Sequence, residues 1–351
     1  MKNKMKSLMK TEADVGAKLV EVDIPQIGAD EVLVKVDAAA ICGTDAHIYK
    51  WDEWSQSRIE PPLIFGHEFC GTVVEIGEDV DTIEKGDFVS AEGHFTCGSC
   101  FYCRTGQGHI CQEVEIIGVD TVGCFAEYVS VPAENIWKMD SDIPLEIAAI
   151  YDPFGNAVHT AMMDDLTGKS VAVIGCGPIG LAAVAVAEYS GAAKIFATDI
   201  NEYRLDLAKK LGADRVINVS EEDPVEVIEE ATGGVDVMLE FSGQPTAIRQ
   251  GFAALKGGGW ASLLGIPSKE MEINLSDAII FKGATVYGIN GRQMWDTWYK
   301  MASLLEGGLD LEPLITHRFA FEDYEEAFDL VLSGNCGKVI LYPNKEDMLK
   351  K

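Results

Sequence analysis

Four cysteines stand at positions 97, 100, 103 and 111, separated by two, two and seven residues. A C-x2-C pair aims two thiolates at one ion from a tight turn, and two further thiols close a tetrahedron around Zn²⁺. Such a site keeps no open position, so Cys97, Cys100, Cys103 and Cys111 predict a structural zinc pinning a loop with little apolar material of its own. The rival is an iron–sulfur cluster, which also uses C-x2-C-x2-C. There the fourth cysteine follows after three residues and precedes Pro; here it follows after seven and precedes Gln112. His109, inside the loop, competes as a ligand, but four thiolates make it redundant.

A second group carries different donors. The stretch "AICGTDAHIY" supplies Cys42, Thr44, Asp45 and His47, and "IFGHEFCG" supplies His67 and Glu68. Singly, a cysteine reads as packing and a histidine as a hydrogen-bonded structural residue. Together, Cys42, His67 and Glu68 match a catalytic zinc set with one position left for water or substrate. Zinc so held is a Lewis acid that lowers the pKa of a hydroxyl.

The third constellation is "SVAVIGCGPIG", with Gly175, Gly177 and Gly180 in G-x-G-x-x-G spacing after an expected strand and opening an expected helix. The first glycine permits the tight turn, the second lets a pyrophosphate approach the backbone, and the third lets helix pack on strand. Asp199 ends the next expected strand, where a carboxylate accepts ribose hydroxyls and repels a 2′-phosphate, favouring NAD. Arg204, close by, is of the type that accepts a 2′-phosphate and keeps NADP open.

The surrounding pattern must position these groups. Loose alternation over 15–40, with further strand-like runs at 69–77, 86–91 and 124–131, predicts a β-rich region. From about 145 a helical stretch reads as interrupted at Asp152-Pro153. Strands and helices then alternate from "SVAVIG" to "GWASLLG", the rhythm of a parallel sheet with both faces covered. Helices at "MWDTWYKMASLLEGG" and "YEEAFDLVLSG" and a strand "GKVILYP" close a tail that returns to the first region.

Composition bounds the class. The chain has 351 residues, 47% of them apolar, which suits two or three cored domains. Its net charge of −29, from 57 acidic and 28 basic residues, opposes nucleic acid and anionic membrane partners. Nine cysteines, an odd number, without an apolar leader after the first lysines, favour a reducing cytoplasm. The apolar run 170–187 is long enough to suggest a membrane span, but its central glycines and Pro178 read better as strand, turn and helix.

Cys42, "GHE" at 66–68, the four-cysteine lobe and "GCGPIG", in that order, make the chain similar to the zinc-dependent medium-chain dehydrogenase/reductase family, the alcohol dehydrogenase superfamily. The stretches 41–59, 151–160 and 291–319 resemble more narrowly its threonine 3-dehydrogenase branch. The resemblance implies an α/β protein with a GroES-like β-rich catalytic domain at 1–156 (structural zinc lobe 92–113), a Rossmann doubly wound parallel-sheet domain at 157–297 and a C-terminal return at 298–351. It implies two zinc ions per chain, a cytoplasmic homotetramer, and oxidation of L-threonine to L-2-amino-3-oxobutanoate with NAD. A polyol or 2,3-diol dehydrogenase shares the metal and cofactor motifs. A non-catalytic zinc-containing binding protein is the alternative from another class.

The same resemblance assigns a proton relay to Thr44 and His47. It makes Glu68 a direct or intermittent zinc ligand and gives Asp152 a relay or outer role at the metal, against the plain alternative of an Asp at a helix break. His94 lines the substrate pocket or is a loop histidine. Cofactor contacts carry over to Ile179, Arg204, Leu264, Gly265, Ile266, Ile289 and Asn290. Cys70, Cys124, Cys176 and Cys336 read as packing thiols.

Overall fold

Lys4–Lys10 forms the first strand, β1, which the sequence reading leaves unassigned. Its period-two signal is masked because Lys10, inside the core, breaks the alternation of lysines outward and Met5 and Ser7 inward. The computed structural model describes residues 4–267 and 269–349. It divides into one unit of Met1–Asp152 with Ile315–Lys351 and a second of Pro153–Leu314.

The first unit continues through β2 (Lys18–Asp23), β3 (Glu31–Ala40), α1 (Gly43–Lys50), α2 (Glu53–Arg58), β4 (Leu63–Ile64), β5 (Glu68–Ile76), β6 (Phe88–Ala91) and β7 (His94–Phe95). Then come α3 (Phe101–Arg104), β8 (Glu115–Ile116), β9 (Tyr128–Pro132), β10 (Ile136–Lys138), α4 (Leu145–Ala149) and the start of α5 (Tyr151–Ala161). The strand expected from 124 begins instead at Tyr128; of the four residues before it, 124 and 125 pair backbone with 65, 66 and 8, and Glu127 bonds both Lys6 and Val36 of β3. The helical interruption falls at Ile150, not at Asp152-Pro153. Pro153 sits in the first turn of α5, where its missing N–H has no helical acceptor to lose.

The second unit holds β11 (Ser170–Ile174), α6 (Pro178–Tyr189), β12 (Lys194–Asp199), α7 (Glu202–Lys210), β13 (Arg215–Asn218), α8 (Pro224–Thr232), β14 (Val235–Glu240), α9 (Pro245–Ala254), β15 (Leu255–Leu263), β16 (Thr285–Gly288) and α10 (Asp296–Glu306). The strands are parallel in the order β13-β12-β11-β14-β15-β16, the doubly wound order that leaves a crevice at the strand ends between the two halves. Local chemistry starts these helices. Pro178 and Pro224 occupy first turns, the Asn201 side chain accepts from Arg204 N at 3.2 Å, and Asp223 accepts from Val225 N at 2.8 Å.

The chain returns to the first unit through β17 (Ile315–Ala320), α11 (Tyr324–Ser333) and β18 (Lys338–Tyr342). Neither β16 nor β17 stands out in the sequence. The main sheet of the first unit runs β10-β6-β5-β3-β18-β17, with β9 also on β3. Its core gathers Val32, Val34, Phe65, Phe69, Phe125 and Phe328. The divisions fall at 152/153 and 314/315, where the sequence reading draws them at 156/157 and 297/298. Periodicity shows that α10 is a helix but not which unit it covers. Trp298 and Met301 bury it fully, and Tyr189 of α6 packs against Gly307 at its end.

Candidate active site

Strand register brings the first donor set together. β3 and β5 are antiparallel with Ala40 opposite Glu68, so Cys42, just past one strand end, meets His67 and Glu68 at the start of the other. Gly66 fixes the approach. Its φ is +92°, and a Cβ there would lie 2.5 Å from the Phe125 ring. One ligand atom from each of Cys42, His67 and Glu68 falls within 4.8 Å of the others. His67 and Glu68 are buried.

The site carries polar atoms that the protein leaves unsatisfied. Glu68 Oε1, His67 Nδ1 and Asp45 Oδ1 are sealed from solvent without a hydrogen-bond partner among the described residues. Orphaned buried donors and acceptors are costly, and here they surround a thiol, an imidazole and a carboxylate, the donor set of a catalytic zinc. The residues therefore fit the metal. Glu68 Oε2 is ion-paired to buried Lys338 of β18, which also donates to the Ile41 carbonyl at 2.8 Å. Burial opposes the Lys338 charge, but Glu68 and Cys42 outweigh it and hold its pKa above the ordinary value.

Asp45 is fully buried in α1. Its Oδ2 accepts from Cys42 N at 2.8 Å, and Oδ1 lies 3.7 Å from His67 Nδ1. It thus addresses two of the three donor residues, a role the sequence reading leaves blank. Burial pushes its carboxyl up against the pull of His67. Burial also disfavours a charged His67, but Cys42 and Asp45 outweigh it and raise the imidazole well above its usual value.

Thr44 Oγ1 lies 3.9 Å from Cys42 Sγ. His47 is exposed, with Nδ1 hydrogen-bonded to Asp52 and its ring edge-on to Trp54. Asp152 stands outside the three-residue donor group, yet its charge acts on Asp45, His67 and Glu68. His94 sits on β7 with Nδ1 2.7 Å from Oε1 of buried Glu92.

The four thiols of 97–111 converge as well. Cys100–Cys103 and Cys97–Cys111 are 3.5 Å apart and Cys100–Cys111 3.9 Å. A tetrahedron of thiolates about 2.3 Å from zinc has edges of roughly 3.8 Å, so the cage has the right size. Backbone N–H groups of Cys97 and Glu113 point at Cys111 Sγ at 3.4 and 3.3 Å. Backbone donation around Cys103 lowers the Cys100 thiol to about 6, whereas burial raises Cys103 to about 11. His109 is not in the group. Cys70, Cys124, Cys176 and Cys336 are buried, as packing thiols should be.

In the second unit, Gly175 has φ +90° and accepts the approach of Gly180, whose Cβ would strike Gly175 O at 2.0 Å. Gly177 caps α6, and a Cβ there would meet nothing within 4 Å. The loop is closed where helix meets strand and open at the helix N-terminus, a cradle shaped for a pyrophosphate. Asp199 Oδ2 accepts from Cys176 N at 2.7 Å, and Oδ1 from Ile200 N at 2.8 Å and Asn201 N at 3.0 Å. Its carboxylate ties the glycine loop to the turn before α7, which carries Arg204. Glu240, absent from the sequence reading, is fully buried. Its Oε1 accepts from Ser242 N at 2.7 Å and Gly243 N at 2.9 Å, and its backbone carbonyl accepts from Leu264 N at 3.0 Å and Gly265 N at 3.2 Å. Ile266 beside them is 89% exposed, and Ile289 N bonds Leu263 O at 2.9 Å, so the 264–266 and 289–290 turns leave the sheet together. Ile179 follows Pro178 in the first turn of α6.

Family models match two segments: the alcohol dehydrogenase GroES-like domain over residues 28–141 and the zinc-binding dehydrogenase over 178–307. An L-threonine 3-dehydrogenase of Caldanaerobacter subterraneus subsp. tengcongensis is 53% identical, over 97% of this chain and 99% of the relative. Among solved structures, an Escherichia coli CFT073 alcohol dehydrogenase complexed with NADH superposes with TM-score 0.89 at 29% identity, covering 97% of this chain and 99% of the other. The 2R,3R-butanediol dehydrogenase of Bacillus subtilis does so with TM-score 0.88 at 30% identity, covering 97% and 100%.

Proposed function

The chain belongs to the zinc-dependent medium-chain dehydrogenase/reductase family, and on that footing we propose that it oxidises L-threonine to L-2-amino-3-oxobutanoate with hydride transfer to NAD. The observation that carries the reading is the convergence of Cys42, His67 and Glu68, with orphaned buried atoms around them, in a chain 53% identical to an L-threonine 3-dehydrogenase.

Cys42, His67 and Glu68 would hold the catalytic zinc, which when bound supplies a Lewis acid that makes a substrate hydroxyl more acidic. Cys97, Cys100, Cys103 and Cys111 would hold the structural zinc. NAD, when bound, supplies the hydride acceptor. Gly175, Gly177, Ile179 and Gly180 shape the pyrophosphate cradle. Asp199 would offer its carboxylate to the ribose hydroxyls with Arg204 nearby, and the 264–266 and 289–290 turns, at the ends of β15 and β16 across the sheet, would meet the other end of the cofactor. Thr44 takes the hydroxyl proton into a hydrogen-bonded relay, and His47, exposed beyond it, passes the proton to water. Asp152 adds negative charge beside the donor group without joining it.

Assembly and location follow the same reading, a cytoplasmic homotetramer. β16 is an edge strand of its sheet, and Leu275, Ile280 and Phe281 in the segment leading to it are 54%, 65% and 81% exposed. A bare strand edge flanked by apolar side chains favours pairing with another copy. None of the nine cysteines is in a disulfide, and no helix of the described residues is long and apolar enough to cross a membrane.

The test is turnover of L-threonine, sorbitol and 2,3-butanediol with NAD and with NADP, with and without added Zn²⁺. Preference for L-threonine and NAD supports the reading. Turnover of the diol or polyol alone overturns it in favour of the related dehydrogenases, and no turnover with only one zinc per chain leaves a non-catalytic protein. Light scattering measures the oligomer.

A further inference from the structure

The loop joining α1 to α2 places Asp52 where it touches both helices. Its Oδ2 is hydrogen-bonded to His47 Nδ1. Its Oδ1 is held by Ser55 N at 3.1 Å and Ser55 Oγ at 3.2 Å, as the N-cap of α2. Trp54 packs edge-on to the imidazole, with centroids 6.1 Å apart. The carboxylate is therefore anchored on one oxygen and aimed with the other, and the ring is confined on two sides.

We propose that Asp52 is a positioning residue for the proton relay: by accepting the Nδ1–H of His47 it holds the imidazole in the tautomer whose Nε2 is free to take a proton. This rests on the relay assigned above to Thr44 and His47. An imidazole has one donor and one acceptor nitrogen when neutral, and the partner of one nitrogen decides the other. With Asp52 on Nδ1, the proton released by the substrate hydroxyl arrives on Nε2. The resulting imidazolium keeps Nδ1–H on Asp52 and returns the Nε2 proton to water. Asp52 stays ionised throughout, so nothing else is consumed.

The charged surroundings support this. Burial works against ionised Asp52, but its bonds to His47 and Ser55 outweigh it and keep the carboxyl below its usual range. On its own helix His47 shares the last turn with Lys50. α11 packs on α1 through the stack of Tyr49 on Phe328, and its Glu325 and Asp329 act on Tyr49. Tyr49 lies two residues on, about 200° round the helix from His47, so Asp52 is the carboxylate that addresses the ring.

The zinc-replete enzyme carrying Asp52→Asn tests it, because Asn caps a helix as well as Asp but carries no charge. The expected result is roughly a tenfold fall in kcat with KM for L-threonine and NAD little changed. The acidic limb of the kcat profile should move to lower pH, and the ring nitrogen shifts of His47 read by NMR should show the Nδ1–H tautomer losing its preference. Asp52→Glu should restore part of both. Asp52→Asn added to His47→Asn should cost nothing further. An unmoved acidic limb and unchanged His47 ring nitrogen shifts, or a loss matched by lower thermal stability, overturns the proposal while the relay stands. If His47→Asn itself keeps the wild-type rate and profile, the relay reading fails and the role of Asp52 with it.

Discussion

Lys338 and Glu68 form an ion pair closed off from solvent, and the same ammonium donates to the Ile41 carbonyl beside Cys42 at 2.8 Å. One side chain from the C-terminal return thereby grips both segments that carry the candidate zinc ligands. It occupies one oxygen of Glu68 and leaves the other, Oε1, facing the donor group without a partner.

Lys338→Met should leave an uncompensated buried carboxylate and lower the unfolding free energy by roughly 3 kcal/mol, with loss of catalytic zinc. Lys338→Met/Glu68→Gln should recover part of the stability but not the zinc. Denaturant unfolding with metal analysis measures both. A loss below about 1 kcal/mol would show that the pair is not sealed.

The two metal sites should separate by mutation. Cys100→Ser should remove one zinc per chain and reduce thermal stability while the remaining folded enzyme still turns over. Cys42→Ser should remove the other zinc and cut kcat/KM by roughly a thousandfold, the equivalent of about 4 kcal/mol. Zinc content, melting and rates on the same preparations decide it. Equal losses of activity from both would contradict the division of labour.

The glycines of the cofactor loop make opposite predictions. In Gly180→Ala the new methyl meets Gly175 O at 2.0 Å, so the variant should lose stability by about 1–3 kcal/mol as well as cofactor affinity. In Gly177→Ala the methyl meets no protein atom, so melting should be unchanged while the dissociation constant for NADH rises tenfold or more, at about 1.4 kcal/mol per decade. Unchanged NADH binding in Gly177→Ala would move the pyrophosphate elsewhere.

Acid stability has a specific contributor in Glu146. Burial pushes its carboxyl up, but Arg318 Nε at 2.5 Å and Tyr342 Oη at 2.7 Å outweigh it and depress the pKa. A depressed carboxylate stabilises the fold above its unfolded value and loses that contribution as pH falls through the folded one. Arg318→Met should therefore melt lower than wild type at neutral pH, by the equivalent of about 1 kcal/mol given the exposed guanidinium, and the gap should close toward pH 3. A gap independent of pH would assign the effect to packing.

The four-thiol lobe and the glycine loop were legible because each lies within a short stretch, whereas Cys42 meets His67 and Glu68 only through the register of β3 and β5. The thiols of 97–111 and the glycines of 175–180 owe their geometry to the local backbone, turns and one helix start, so spacing along the chain is spacing in space. The strand and helix alternation of the second unit was readable for the same reason, since each element carries its own period.

Asp45 over His67, Lys338 on Glu68, Asp52 on His47 and Glu240 under the 264–265 turn were not assigned. The signal for Asp45, Asp52 and Glu240 is weak: an acid at a helix start or strand end usually caps a turn. Lys338 gives none, because a contact across 270 residues leaves no periodicity to detect. The same holds for β1, whose alternation is broken by a buried lysine, and for the point at which the predicted return begins, Ile315, which depends on which sheet accepts the strand. By itself, then, the sequence determined which ligand types exist and the local turns that present them. Only the tertiary structure decided which distant charges complete them, because strand register and burial are properties of the assembled sheets rather than of any one segment.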